Sequence, residues 1–195
     1  MLEEILGSWT KVKVLRLLLR EPAREFSIQD VAQALGLSLG SVHPAVQQLL
    51  GARFVLTRRV GRSRSYRANA GHPLFHPLRS LFEAEVERLA AVAGEFADAL
   101  PPRGVEAVVL FGSAARGRPA ARSDVDVLVV ARDPSAGSAV RRVAASMLER
   151  HDVNVSPLVL GKDEVAARLR AFDPLLLTIA QEGRLLRGRA RWLAR

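Results

Sequence analysis

Hydrophobic residues in the first part of the chain repeat with the spacing of short helices. Leu and Val recur every three or four positions over Trp9 to Arg20, and a second helical run follows Ser27, with Asp30 three residues later as in a capping box. A third run extends from Ser38 to Gly51. These three segments, separated by short turns, predict a helix-turn-helix.

Two short strand-like runs come next, Phe54 to Leu56 and Ser65 to Arg67, and they predict a β-hairpin. The surrounding segment is basic, because the chain from Gly51 to Leu81 holds seven Arg and no acidic residue. The first 72 residues carry 11 basic and 5 acidic residues, in a chain whose formal net charge is +9. Such a local positive surface attracts phosphate, so we expect a nucleic acid as a partner. A helix-turn-helix followed by a basic hairpin indicates that this nucleic acid is double-stranded DNA. A dimerisation or protein-docking module is the alternative.

A long amphipathic helix is predicted between residues 73 and 100, where apolar residues step by three and four positions. We interpret it as a connecting helix, and as the element through which two chains can form a homodimer. His72 and His76 have a spacing that two zinc ligands could use. No further ligand lies nearby in the sequence, so we interpret them as surface residues at the start of the helix.

After Pro101 and Pro102 the pattern changes to alternating strands and helices, which predicts a small domain with a mixed α/β sheet. The fold class expected for the chain is therefore α+β with two domains. We expect the helix-turn-helix unit over residues 1–72, the connecting helix over 73–100 and the mixed α/β domain over 101–195.

The composition excludes several other classes of protein. The chain has 195 residues, 49% of them hydrophobic, and no Cys, which excludes a disulfide scaffold and a thiolate metal site. No apolar stretch is long enough for a membrane span, and the first residues lack the basic character of a signal peptide. We therefore expect a cytoplasmic protein with no membrane partner.

The candidate chemistry lies where two predicted strands meet polar residues. The strand from Val105 to Phe111 ends in Gly112 and Ser113, and ten residues later Asp124 and Asp126 open the next strand. A glycine lets backbone N–H groups approach a phosphate, and a serine adds a hydroxyl at the turn. Two acids two positions apart on a strand project from one face, where they can hold Mg²⁺ together with a substrate phosphate.

On these residues the C-terminal part resembles the polymerase-β-type nucleotidyltransferases, particularly their minimal branch, over about residues 104 to 190. The resemblance implies transfer of a nucleoside monophosphate from an NTP to an acceptor hydroxyl. It implies that Asp124 and Asp126 are catalytic and bind two Mg²⁺ ions. It also implies that Gly112, Ser113 and Arg116 bind the nucleotide.

The N-terminal part resembles winged helix-turn-helix domains over about residues 8 to 70, on the run from Ser27 to Ser38 and the segment Val42 to Phe54. The resemblance implies that the third helix enters the major groove and that the hairpin contacts phosphates or the minor groove. The residues that it implies for DNA binding are Ser41, His43 and Gln47 at the bases and Arg58, Arg59, Arg62 and Arg64 at the backbone. Pro44 departs from the pattern, because a proline inside a helix predicts a late start or a kink.

The next strand is predicted over Val153 to Leu160. The transferase resemblance also implies a third carboxylate at this strand, and we look for it within His151 to Leu158. Asn154 occupies the expected position there, and an amide cannot act as a base. Asp152 lies one strand period away, about 6.6 Å. It is the remaining candidate for the third catalytic residue, through a shifted strand or a bridging water.

Two functions stay open. The first is an enzyme that transfers a nucleoside monophosphate to a small molecule or to a protein, such as a partner toxin, and that also binds DNA. The second is a DNA-binding transcriptional regulator or antitoxin whose transferase domain binds nucleotide with little or no turnover.

Overall fold

The computed structural model describes residues 2–61, 63–117, 124–133 and 136–193. Contacts divide the chain into two compact units, Met1–Ala84 and Glu85–Arg195. No helix within these described ranges is long and apolar enough to cross a membrane. The described helices and strands are, in chain order, α1 (Leu2–Ile5), α2 (Trp9–Arg20), α3 (Ile28–Leu35), α4 (Leu39–Gly51), β1 (Val55–Val60), β2 (Ser63–Ala68), α5 (Phe75–Ala99), β3 (Val105–Phe111), α6 (Gly112–Ala115), β4 (Val125–Ala131), α7 (Ala136–His151), β5 (Val155–Gly161), α8 (Lys162–Arg170), α9 (Pro174–Glu182) and β6 (Arg184–Gly188).

Three helices of the N-terminal unit, α2, α3 and α4, pack their apolar faces into one core. The second of them begins with the predicted capping box. The Ser27 hydroxyl accepts a hydrogen bond from the Asp30 N–H at 3.1 Å, and the Asp30 carboxylate accepts one from the Ser27 N–H at 2.8 Å. Two N–H groups that the helix itself leaves unpaired are thereby satisfied.

The hairpin that follows the helices is longer than the sequence pattern predicts. β1 and β2 pair antiparallel from Val55 opposite Ala68 to Val60 opposite Ser63. Phe26 adds an isolated bridge to Tyr66 on the outer side of β2. Helix-turn-helix and hairpin together form the winged helix-turn-helix arrangement that the sequence predicts.

Helix α4 does not start late at Pro44, and a kink there stays a prediction. The helix begins directly after Ser38, whose hydroxyl accepts from the Ser41 N–H at 3.3 Å, and it continues unbroken through Pro44. A proline has no N–H to donate and its ring crowds the carbonyl four residues earlier, which here belongs to Gly40. The cap at Ser38 fixes the start of the helix in spite of this loss.

The C-terminal unit contains a four-stranded mixed sheet with the strand order β5-β4-β3-β6. β3 is antiparallel to β4 and β6, while β4 and β5 are parallel. Alternate residues of β4 face opposite sides: Val127 packs in a core with α5 and α7, and Leu128 packs in a core with α8 and α9. The α+β fold class expected from the sequence is confirmed.

The start of β5 differs from the prediction. We expect a strand from Val153, but α7 continues to His151 and the strand begins at Val155. Asp152 adopts a left-handed backbone conformation, with φ of +50°, and its N–H donates to the Leu148 carbonyl at 2.9 Å. Because this bond closes the helix, Asp152 lies in a turn, and the strand spacing assumed for it does not apply.

Candidate functional site

The ends of two neighbouring strands bring the Gly-Ser turn and the acidic pair together. Phe111, the last residue of β3, pairs with Asp126 in β4, and Gly112 follows with φ of +72°. A Cβ atom added to Gly112 would lie 2.2 Å from Oδ2 of Asp126. Only glycine therefore permits this approach of backbone to carboxylate. The juxtaposition is the one that the sequence motif predicts.

A serine on the neighbouring strand links to the acidic pair. Asp124 and Asp126 are both half-buried at the start of β4. Ser156 in β5 is the register partner of Asp126, and its hydroxyl donates to Oδ2 of Asp124 at 3.0 Å. Two carboxylates and a hydroxyl thus face one place, and all three are hard oxygen donors.

The pKa of Asp126 is raised above its ordinary value. Burial is the main cause, and the negative charge of Asp124 adds to it, while the positive charge of Arg116 acts in the opposite direction. The carboxylate therefore stands in a place where its own charge is poorly compensated. A bound cation would stabilise the ionised form and so counteract the shift.

Arg116, at the end of α6, has a second acidic neighbour. Its Nη1 donates to Oε2 of Glu182 at 2.9 Å, and the two side chains are 39% and 46% exposed. Glu182 belongs to the last turn of α9, and no sequence motif marks it. Ser113, between Gly112 and Arg116 in the chain, is half-buried.

The structure puts the expected third acidic residue outside the strand. Asp152 and Asn154 both precede β5 and are exposed. The residue opposite Asp126 is Ser156, which sequence reasoning missed although the polar alternation from Asn154 to Ser156 was visible. Within the described ranges, no group of three or more acidic or histidine side chains is arranged to hold a metal ion. The catalytic role of Asp152 stays a prediction.

The three candidate base-contacting residues differ in accessibility. His43 is exposed on α4, while Ser41 and Gln47 are half-buried. The Ser41 hydroxyl donates to the Ser38 carbonyl at 2.9 Å, so it already serves the start of the helix. Of the three, His43 is the side chain most open to a partner.

The arginines of the hairpin lie in the strands themselves. Arg59 and Arg64 are register partners, and like charges directly opposite each other in a sheet repel. Arg58 pairs instead with Glu25 at 3.2 Å, and Ser65 donates to the same carboxylate at 2.7 Å. Arg62 lies outside the described residues. The opposed pair is an arrangement that a bound anion would stabilise.

Comparison with known families identifies residues 90–175 as matching the nucleotidyltransferase domain. This match confirms the resemblance drawn from the Gly-Ser and Asp-x-Asp motifs. No curated protein matches the chain in sequence.

Several solved structures are similar to parts of the chain. One is the homodimeric winged helix-turn-helix DNA-binding domain of a possible ArsR-family transcriptional regulator from Mycobacterium bovis, 22% identical, with 44% of this chain and 74% of that chain covered and a TM-score of 0.34. Another is a toxin–antitoxin with AMP-PNP, 21% identical, covering 54% of this chain and 75% of that chain, with a TM-score of 0.36. A third is an archaeal chromatin protein, 16% identical, with 85% of this chain and 69% of that chain covered and a TM-score of 0.28.

Proposed function

We propose that the nucleotidyltransferase domain of this chain transfers a nucleoside monophosphate from a magnesium-bound NTP to an acceptor hydroxyl, and that the winged helix-turn-helix binds double-stranded DNA. The observation that carries the first part is the close approach of the Gly112 turn to Asp126. A Cβ atom, which glycine lacks, would lie 2.2 Å from Oδ2 of this carboxylate. We propose the organisation as residues 1–72 for DNA binding, 73–100 for connection and 101–195 for transfer.

The residues at the site fit a magnesium ion. Asp124 and Asp126 offer two carboxylates, and the pKa of Asp126 is raised by its burial and by the negative charge of Asp124, which the positive charge of Arg116 offsets only in part. Bound there, the ion would neutralise phosphate charge on the nucleotide. The proposal of two ions requires a further ligand beyond this pair, and Asp152 is the candidate for it.

Three further residues are proposed to bind the nucleotide. Gly112 is proposed to present its backbone N–H to a phosphate, and Ser113 its hydroxyl at the same turn. Arg116 supplies positive charge beside Asp126, and Glu182 at 2.9 Å holds its guanidinium. An arginine in this place would counter charge on the leaving pyrophosphate.

One observation favours a second candidate function. Among the described residues, no third acidic side chain joins Asp124 and Asp126 in a group able to hold a metal. Binding of nucleotide survives such a loss more easily than catalysis does. The alternative is therefore a DNA-binding regulator or antitoxin whose transferase domain binds nucleotide with little turnover. For the enzyme, a partner toxin or another protein is the proposed acceptor. For the regulator or antitoxin, such a protein is the proposed binding partner.

The test of transfer compares three proteins incubated with Mg²⁺, with the protein or small-molecule fraction of a cell extract as the source of acceptor hydroxyls, and with each of the four NTPs, labelled at the α-phosphate to follow the acceptor or at the γ-phosphate to follow pyrophosphate. We expect Mg²⁺-dependent release of pyrophosphate by the wild type and by Asp98→Asn, an exposed acid on α5 that serves as the control. The double variant Asp124→Asn with Asp126→Asn should release none. Equal release from all three would remove the transfer proposal. Mg²⁺-dependent binding without release would favour the regulator.

The DNA proposal rests on the opposed arginines of the hairpin. Arg59→Ala combined with Arg64→Ala should weaken binding to all duplexes by a similar factor. It should also reduce the slope of log affinity against log salt by about 1 to 2, because up to two phosphate contacts are lost. Arg141→Ala combined with Arg142→Ala, which removes two exposed arginines of α7, controls for net charge. An unchanged slope would contradict the assignment.

A further inference from the structure

A cavity of about 570 Å³ in the N-terminal unit lies between the helix-turn-helix and the hairpin. Residues from α3, α4 and β2 share its wall, among them Ile28, Leu39, His43, Pro44 and Arg64. The wall therefore combines apolar side chains of the helices with an arginine of the hairpin.

The exposed surface of α4 carries no charge. The helix sequence from Leu39 to Gly51 contains no Arg, Lys, Asp or Glu. Leu39 is 49% exposed at its first turn, and Pro44 is exposed one turn later. The apolar face of the same helix is buried through Val42 and Val46. Leu39 and Pro44 are thus apolar groups left at the surface beside a basic hairpin.

The positive charge in this part of the molecule lies on the strands. Arg58 and Arg59 are on β1, while Arg64 and Arg67 are on β2, and all four are exposed. Charge complementarity therefore favours a polyanion over an apolar peptide as the occupant of the surface. Within DNA, the commonest specific contact is an Arg or Lys bidentate to guanine, and α4 has no such side chain. Beside the polar side chains of His43 and Gln48, the exposed surface of α4 offers apolar contact through Leu39 and Pro44, which suits the methyl group of thymine.

We infer, on the basis of the DNA binding proposed above, that α4 reads thymine methyl groups through Leu39 and Pro44, and that the arginines of the hairpin hold phosphates without reading sequence. The binding site should accordingly contain A·T pairs where α4 enters the major groove. Specificity and salt-dependent affinity are then divided between two elements of the same unit.

The experiment uses the full chain and first selects duplexes from a randomised library. In the best duplex, each thymine is then replaced singly by uracil, which removes only the methyl group, and dissociation constants are measured by fluorescence anisotropy. We expect A·T-rich selected sites and at least one position where uracil weakens binding by about fourfold, the factor for one buried methylene-sized group. Leu39→Ala should bring the ratio of the two dissociation constants, uracil duplex over thymine duplex, close to one. Leu39→Met should retain the fourfold ratio.

Leu74→Ala supplies the matched control, because Leu74 is also an exposed leucine of this unit, 55% accessible, and lies outside the cavity wall. It should leave the thymine-to-uracil ratio unchanged. Salt-dependent duplex binding with a ratio near one at every position would overturn the inference and leave the DNA-binding proposal standing. Selected sites without thymine would do the same. Absence of binding to any duplex would overturn both.

Discussion

Asp30 in the N-terminal unit and Asp126 in the C-terminal unit occupy opposite electrostatic environments. The pKa of Asp30 is lowered, first by the hydrogen bond from the Ser27 N–H and then by the Ser27 hydroxyl. The pKa of Asp126 is raised, first by burial and then by the charge of Asp124. Glu25 resembles Asp30, because a hydrogen bond from Ser65 is the main cause that lowers its pKa.

The difference separates acids that stabilise the fold from an acid that does not. A carboxylate with donors in the folded state makes folding more favourable once it is ionised. Asp126, ionised beside Asp124 and partly removed from water, makes folding less favourable at neutral pH. A side chain kept in spite of such a cost is a candidate for binding or catalysis. Asp30 and Glu25 belong to the architecture, and Asp126 is a candidate for the functional site.

The largest expected effect comes from Gly112→Ala. Gly112 and Gly117 both have positive φ, +72° and +63°, so alanine is strained at either position by about 1–2 kcal/mol. A Cβ at Gly112 would also displace the Asp126 carboxylate, whereas at Gly117 it meets nothing within 4 Å. Gly112→Ala should abolish Mg²⁺-dependent NTP binding in calorimetry, and Gly117→Ala should retain it. Denaturant unfolding should show the larger loss of stability for Gly112→Ala. A Gly112→Ala variant that binds NTP with the affinity of the wild type would contradict the proposed nucleotide site.

Asp126→Asn should separate stability from function. Because the folded-state pKa of Asp126 is raised, its protonated carboxyl is the form that favours folding. This contribution to stability is present below the ordinary pKa of about 3.9 and is lost as pH rises through the folded-state pKa. Without divalent ions, the variant should therefore melt at a higher temperature than the wild type at pH 7, with the difference shrinking toward pH 3. Mg²⁺ with NTP should raise the melting temperature of the wild type alone. Asp98→Asn is the control. An Asp126→Asn variant that melts at a lower temperature than the wild type at pH 7 would contradict the destabilising effect of the ionised carboxylate.

Ser156→Ala should have a moderate effect on the site. It removes the 3.0 Å hydrogen bond that holds Asp124, so the affinity for Mg²⁺ and NTP should fall roughly tenfold, as for other residues that orient a metal ligand. Ser156→Thr retains the hydroxyl and should retain most of the affinity. Titration calorimetry measures both. Equal affinity in all three proteins would show that the hydrogen bond does not position Asp124.

The smallest effect is expected from Asp30→Asn, and its pH dependence has the opposite sign to that of Asp126→Asn. Because the folded-state pKa of Asp30 is lowered, its stabilising contribution is present above the ordinary value of about 3.9 and is lost as pH falls through the folded-state pKa. The variant should melt lower than the wild type at pH 7, and the difference should disappear in acid. A difference that grows in acid would contradict the capping role.

Local patterns were sufficient for most of the elements and for the centre of the site. The capping box at Ser27 depends on residues three positions apart, and β3 and β4 depend on continuous apolar runs, so neither needs distant information. Sequence reasoning placed Gly112 near Asp126 through the spacing of one motif. It placed β5 two residues early, because nothing local shows that α7 continues to His151.

What the sequence determined by itself was the order of the main helices and strands, the basic hairpin and the two acids at the start of β4, since each follows from spacing along a single segment. Only the tertiary structure decided that Ser156 lies opposite Asp126, that Glu182 pairs with Arg116, and that Arg59 faces Arg64. Strand register and helix docking depend on the packing of side chains far apart in the chain, and no local pattern encodes which of them will meet.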